Sequence, residues 1–164
     1  PMTMVDTLYD AHYRSREKLA WAFAEILNTE AREIAATGVD VIQFDEPAFN
    51  VFFDEVRDWG VRTLERAARG LTCTTAVHIC YGYGIKANID WKNTLGSEWR
   101  QYEQTFPLLA ASAIDIAAIC GRARSATNTC RAARFRRLPP QSAHARTPRY
   151  FASSSRTVVD SVSR

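Results

Sequence analysis

A chain of 164 residues, 46% hydrophobic and 24% charged, has the composition of a soluble protein with one ordinary core. No apolar run reaches the roughly 18 residues that a membrane helix needs, and the opening Pro1-Met2-Thr3-Met4 lacks the basic-then-apolar order of a signal peptide, so a cytoplasmic address is expected. The net charge of +3 hides a seam: residues 121–164 carry ten arginines against one acid, whereas residues 1–120 carry 11 basic against 17 acidic side chains.

From Ser15 to Thr37 the residues Leu19, Phe23, Ile26, Leu27 and Ile34 recur at helical spacing, with Ser15 as N-cap and Gly38 as the stop. The β-branched run Val39–Phe44 follows and ends at Asp45-Glu46-Pro47, where proline prevents further pairing, so it reads as a buried strand. A second helix is predicted from Phe52 to Arg69, with Phe53, Val56, Leu64 and Ala67 inward and Gly70 ending it. Thr75–Cys80 is a second strand, Tyr81–Gly96 a long loop, Glu98–Leu109 a helix and Ala113–Ile119 a third strand.

Alternation of strand and helix argues for a parallel sheet covered by helices, and in a parallel barrel the chemistry sits on loops at the C-terminal ends of the strands. A complete (β/α)₈ TIM barrel needs about 250 residues, so residues 1–120 are expected to supply a partial barrel of about three units. Residues 121–164 form a separate segment, rich in Arg, Ser and Ala and without helical or strand period, expected to be disordered.

Two clusters lie at the predicted strand ends. His78 and Cys80 are two apart, so a strand sends both to one face, and an imidazole beside a thiolate is a zinc-type pair. For an isolated H-x-C, a core histidine next to a small buried cysteine is the more common arrangement. Asp45 and Glu46 suit a substrate ammonium or proton handling, although acids before proline also cap turns. Tyr81-Gly82-Tyr83-Gly84 lacks the third glycine and following helix of a phosphate-binding turn, and Trp91, Trp99 and Tyr102 read as packing residues. The four cysteines, Cys73, Cys80, Cys120 and Cys130, follow no paired spacing, so thiols rather than disulfides are expected.

Taken together, Gly38-Val39-Asp40-Val41-Ile42-Gln43-Phe44-Asp45-Glu46-Pro47-Ala48-Phe49 and, some thirty residues on, His78-Ile79-Cys80-Tyr81 resemble the catalytic domain of cobalamin-independent methionine synthase, in its shorter form. The resemblance covers about Met2 to Asp115. It implies a (β/α)₈ barrel, zinc as the cofactor, and transfer of a methyl group from 5-methyltetrahydrofolate, as the polyglutamate, to homocysteine, giving methionine. It places His78 and Cys80 on two zinc ligands and Asp45 on the carboxylate that holds the amino group of homocysteine, with Glu46 adjacent. No nucleic-acid or membrane partner is implied.

The chemistry is coherent. A thiol with a pKa of about 8.5 is mostly protonated at neutral pH, and coordination to zinc removes that proton. A relative acting on another thiol, such as coenzyme M, is the alternative within the enzyme class; the alternative outside it is a non-catalytic truncated barrel with a basic tail. The sequence departs from the family after Asp115, because Cys120 stands where the family has a glutamate that completes the zinc site. The family's serine-rich loop and later cysteine have no counterpart, and Cys130 comes too early to be that ligand. As given, the chain is therefore expected to be inactive.

An abrupt change to arginine, alanine, serine and proline, all with GC-rich codons, reads as an out-of-frame translation rather than a basic arm, which would mix lysine with arginine. Sequencing the gene from the codon of Leu108 in all three frames checks this. Another frame should restore a strand ending in glutamate, a serine-rich loop and a later cysteine; an authentic frame with no such alternative contradicts the reading.

Overall fold

The computed structural model describes residues 1–81, 86–95, 100–121 and 129–134. A short helix α1 (Met2–Thr7) precedes the long α2 (Arg16–Ala36), which leads into β1 (Val41–Asp45). A continuous helical stretch follows, made of α3 (Phe53–Glu55), a π-helical turn (Val56–Gly60) and α4 (Val61–Ala67). Then come β2 (Thr74–Ile79), α5 (Lys86–Thr94), α6 (Tyr102–Ala110), β3 (Ile116–Gly121) and β4 (Thr129–Arg134). The sheet order is β1-β2-β3-β4, with β1, β2 and β3 parallel and β4 antiparallel to β3. This is a mixed α/β fold with a small parallel sheet, consistent with part of a barrel. Among the described residues, no helix is long and apolar enough to cross a membrane.

Local chemistry sets the ends of α2. The Ser15 hydroxyl accepts the Lys18 N–H at 3.3 Å, and Gly38, with φ +90°, takes the left-handed conformation that closes the helix while its N–H donates to the Ala35 carbonyl. The buried stripe of α2 differs from the predicted one. Ala20, Ala24, Asn28 and Ala31 face inward, Leu19, Phe23 and Leu27 flank them, and Ile26 and Ile34 are 61% and 44% exposed. Small residues let α2 approach α4 closely, and Asn28 closes the contact by donating to the carbonyls of Ala67 (2.9 Å) and Arg69 (2.8 Å). Arg66 completes the clamp, reaching Asn28 Oδ1 at 3.0 Å and Glu25 Oε1 at 2.7 Å.

The predicted second helix is present but interrupted by the π turn, and Val56, Leu64 and Ala67 are fully buried as expected. Gly60 ends the turn close to Met2: a Cβ there would lie 2.7 Å from the Met2 sulfur, so a larger residue would make the flexible end of that side chain shift. Helix α1 has no counterpart among the predicted elements. Helix α5 lies within the stretch expected to be loop, because K-A-N-I-D-W-K-N-T carries helical residues and an i,i+4 Lys86–Asp90 pair.

Strand β1 alternates, with Ile42 and Phe44 buried and Val41, Gln43 and Asp45 exposed. On the helix-covered face Val77, Ile79 and Ala117 join Ile42 and Phe44 in the core with Val56, Leu64 and Leu109. Asp115 fixes the start of β2 by accepting both the N–H and the hydroxyl of Thr75 at 2.9 Å. The expectation that residues 121–164 lack regular structure fails at β4, which pairs along the whole of β3 and sets Cys120 opposite Cys130 in register. An open strand edge offers unpaired N–H and C=O groups to any extended segment, whatever its hydrophobic pattern. The remainder of that segment lies outside the described residues.

Replacing Asn28 with alanine leaves two carbonyls without their donor. Stability should fall by about 1–3 kcal/mol, read as a lower urea midpoint at unchanged slope.

Candidate functional site

The parallel register pairs Asp45, the last residue of β1, with His78 on β2. Cα partners in a parallel pair share a face, here the one opposite the buried Ile42, Phe44, Val77 and Ile79. Asp45 Oδ1 lies 3.7 Å from His78 Nδ1, close enough for charge attraction and too far for a hydrogen bond. The nearer partner of that oxygen is Gln43 Nε2, which donates at 2.8 Å from two residues earlier on the same face. The side chain of Asp45 is 63% exposed and that of His78 is 24% exposed, so the carboxylate is open to a solute while the imidazole is largely sheltered.

Glu46, the neighbour of Asp45, points the other way. It is fully buried, and its carboxylate accepts the backbone N–H groups of Met2 (3.0 Å) and Thr3 (2.8 Å) and pairs with the amino group of Pro1. Its own N–H donates to the His78 carbonyl at 2.8 Å, extending the β1–β2 pairing by one residue. Strand alternation thus divides the acidic pair between an open face and the inner face, where Glu46 anchors α1.

Cys80 lies one residue beyond β2 and is partly buried. Two side chains secure the backbone there: Asn50 Nδ2 donates to the Cys80 carbonyl at 2.8 Å, and the Tyr102 hydroxyl to the Ile79 carbonyl at 3.2 Å. Thr105 on α6 donates to Asn50 Oδ1 at 2.9 Å. Asn50, Thr105 and Gln43 were not singled out from the sequence; the only signal for Asn50 is its place three residues after Pro47 in the turn that leaves β1.

Tyr81, next along the chain, is buried against Trp91, in a stacked arrangement with centroids 6.1 Å apart, and edge-on to Tyr102 at 5.0 Å. Burial pushes the Tyr81 hydroxyl above the usual phenol range, with backbone N–H groups of Gln101 and Tyr102 opposing the shift. Trp91 and Tyr102 therefore pack, as expected; Trp99 and the Gly82–Gly84 part of the loop lie outside the described residues.

The donor chemistry of His78 and Cys80 fits a zinc-type cation, an imidazole and a thiol two positions apart at a strand end. Among the described residues no group of three His, Cys, Asp or Glu side chains is gathered closely enough to hold a metal, which leaves His78 and Cys80 as two candidate donors.

The class defined by this fold and site is a segment of a mixed α/β protein in which two adjacent parallel strands end in Asp45 and in His78 and Cys80, with Asp45 beside His78. Models of known protein families match nowhere on the chain. The chain is 30% identical over 100 residues to a methionine synthase of Sulfurisphaera tokodaii, covering 57% of this chain and 29% of that protein. It is 33% identical over 82 residues to that of Saccharolobus solfataricus, covering 50% and 24%. Among solved structures it is similar to a B12-independent methionine synthase from Shewanella sp. W3-18-1, in complex with selenomethionine, at 76% identity and a TM-score of 0.65, over 71% of this chain and 34% of that one. These likenesses cover part of the chain and are to methionine synthases, one of them B12-independent. The chain spans about a quarter to a third of the length of the relatives it matches.

Two ligands fall short of the four that a closed zinc site uses. After dialysis, elemental analysis of the purified chain should find clearly less than one zinc per chain; stoichiometric retained zinc would mean that further ligands join His78 and Cys80.

Proposed function

We propose that the chain is part of a zinc-dependent methyltransferase that converts homocysteine to methionine with 5-methyltetrahydrofolate, as the polyglutamate, as methyl donor. The observation that carries the reading is the register that sets Asp45 beside His78, with Cys80 two residues on. Its 76% identity to a methionine synthase solved with selenomethionine, the selenium analogue of the product, supports it. Zinc, when bound, would lower the pKa of the substrate thiol and present it as a thiolate at neutral pH.

The chain's own residues have separable tasks in this reading. His78 and Cys80 hold the metal, the sheltered imidazole fixing one direction of approach. Asp45, oriented by Gln43 and exposed, takes the ammonium of the amino-acid substrate and so places its sulfur towards the ligand pair. Glu46, assigned beside Asp45 from the sequence, supports this end of β1 from the inner face through α1. The half-open site and the two-ligand metal pair go with an expectation that the chain by itself gives no turnover.

Asp45 favours an amino-acid thiol over a sulfonate thiol such as coenzyme M, because a carboxylate attracts an ammonium and repels a sulfonate. Calorimetric titration of the zinc-loaded chain with L-homocysteine and with 2-mercaptoethanesulfonate tests this. Homocysteine should bind more tightly, and Asp45→Asn should weaken it roughly two- to fivefold, the size of an exposed ion pair, while leaving the sulfonate unaffected or improved. Equal binding of the two thiols, or no effect of Asp45→Asn, would sink the proposal.

A further inference from the structure

The hydrogen-bonded ladder of β2 ends before Cys80: the last residues in register are His78 with Asp45 and Ile79 with Ile119. Residues two apart share a face only while the backbone stays extended, so the contacts that hold the backbone at Cys80 bear on how it stands to His78. One set of these contacts comes from outside the sheet. The Asn50 amide, from the turn after β1, donates to the Cys80 carbonyl at 2.8 Å, and the Thr105 hydroxyl on α6 donates to Asn50 Oδ1 at 2.9 Å.

Both side chains are removed from water, Asn50 being 2% exposed and Thr105 fully buried. In that setting the amide has one workable orientation. A carbonyl can only accept, so the NH₂ must face Cys80, which leaves the amide oxygen to the Thr105 hydroxyl. That hydroxyl has one proton and a second acceptor, the Gln101 carbonyl at 3.2 Å, but the Asn50 oxygen is nearer. The chain Thr105 to Asn50 to Cys80 is thus directional, and each bond polarises the next in a low-dielectric interior.

We infer that Asn50, oriented by Thr105, is a positioning residue that fixes the Cys80 arm of the metal-binding pair relative to His78. This rests on the reading that His78 and Cys80 bind a metal. The relation is that of outer partners to ligands in other metal sites, where losing the partner weakens binding by about 10–100-fold. It makes the turn after β1 and the first half of α6 part of the site, although neither supplies a donor to the metal.

Cobalt(II) titration of the full chain, followed through the thiolate-to-cobalt charge-transfer band, tests both levels. Cys80→Ser should abolish the band. Asn50→Asp puts a carboxylate oxygen against the Cys80 carbonyl and should weaken cobalt binding by about 10–100-fold with a shifted band. Thr105→Val, nearly the same shape without the hydroxyl, should weaken it by a smaller factor, and Thr105→Ser should restore binding to near wild type. Circular dichroism and the urea midpoint of each variant separate loss of fold from loss of geometry, and binding is compared only between chains that remain folded. A wild-type chain without the band, or a band that survives Cys80→Ser, overturns the metal reading and this inference with it. A band lost in Cys80→Ser but unchanged in affinity and energy in folded Asn50→Asp and Thr105→Val overturns the inference alone.

Discussion

Everything at the site depends on one constraint, the fixed register between β1 and β2 in a sheet whose one face is packed into the core. Ile42 and Phe44 on β1 and Val77 and Ile79 on β2 are buried under the helices. Each such side chain stabilises the fold by about 1.5–3 kcal/mol relative to exposure. That free energy chooses the face, and alternation then leaves Asp45 and His78 no alternative but the open side. A slip of one residue would carry both into the apolar layer, so the core and the site cannot be specified independently.

The helical layer is held by a few polar groups placed where apolar packing cannot serve. Asn28 caps the end of α4, and Glu46 satisfies the first N–H groups of α1. Gly60 leaves room for the Met2 sulfur, which would otherwise have to shift. Glu46 shows how far context overrides residue type. Its neighbour carries the same charge on the same strand end, yet one carboxylate meets solvent and the other is wholly enclosed, where only donors on every side make burial tolerable.

Much of the fold was legible because it rests on local signals. Ser15 and Gly38 bound α2 within a residue, and the β-branched runs locate β1 and β2 within one or two. Asp45, His78 and Cys80 were legible as chemistry-bearing residues at predicted strand ends. The inward stripe of α2 was misread, since periodicity weighs hydrophobicity and is blind to how closely alanines let two helices approach. Asn50 and Thr105 were invisible for a different reason. Their partners lie 30 and 55 residues away, and nothing in the local pattern distinguishes a buried hydrogen-bonding Asn or Thr from one that caps a turn. Strand β4 was missed because its pairing is dictated by the open edge of β3 rather than by its own alternation.

Geometry and strength are separable in such a site. The register, the Gln43 contact and the Asn50 chain fix where the groups stand, but the worth of each interaction depends on how much water remains. A carboxylate as exposed as that of Asp45, at 63%, would attract an ammonium only weakly, whereas the same pair in a drier setting is stronger. Large apolar side chains stand exposed in both layers: Val41 is 50% exposed on β1, and Ile26 and Ile34 are 61% and 44% exposed on α2. The chain spans 34% of the Shewanella enzyme to which it is similar, so in a protein of that size additional elements have room to close over β1. In the proposed reading β1 and β2 place His78, Cys80 and Asp45, and the affinity of the site rests on how much water is excluded around them.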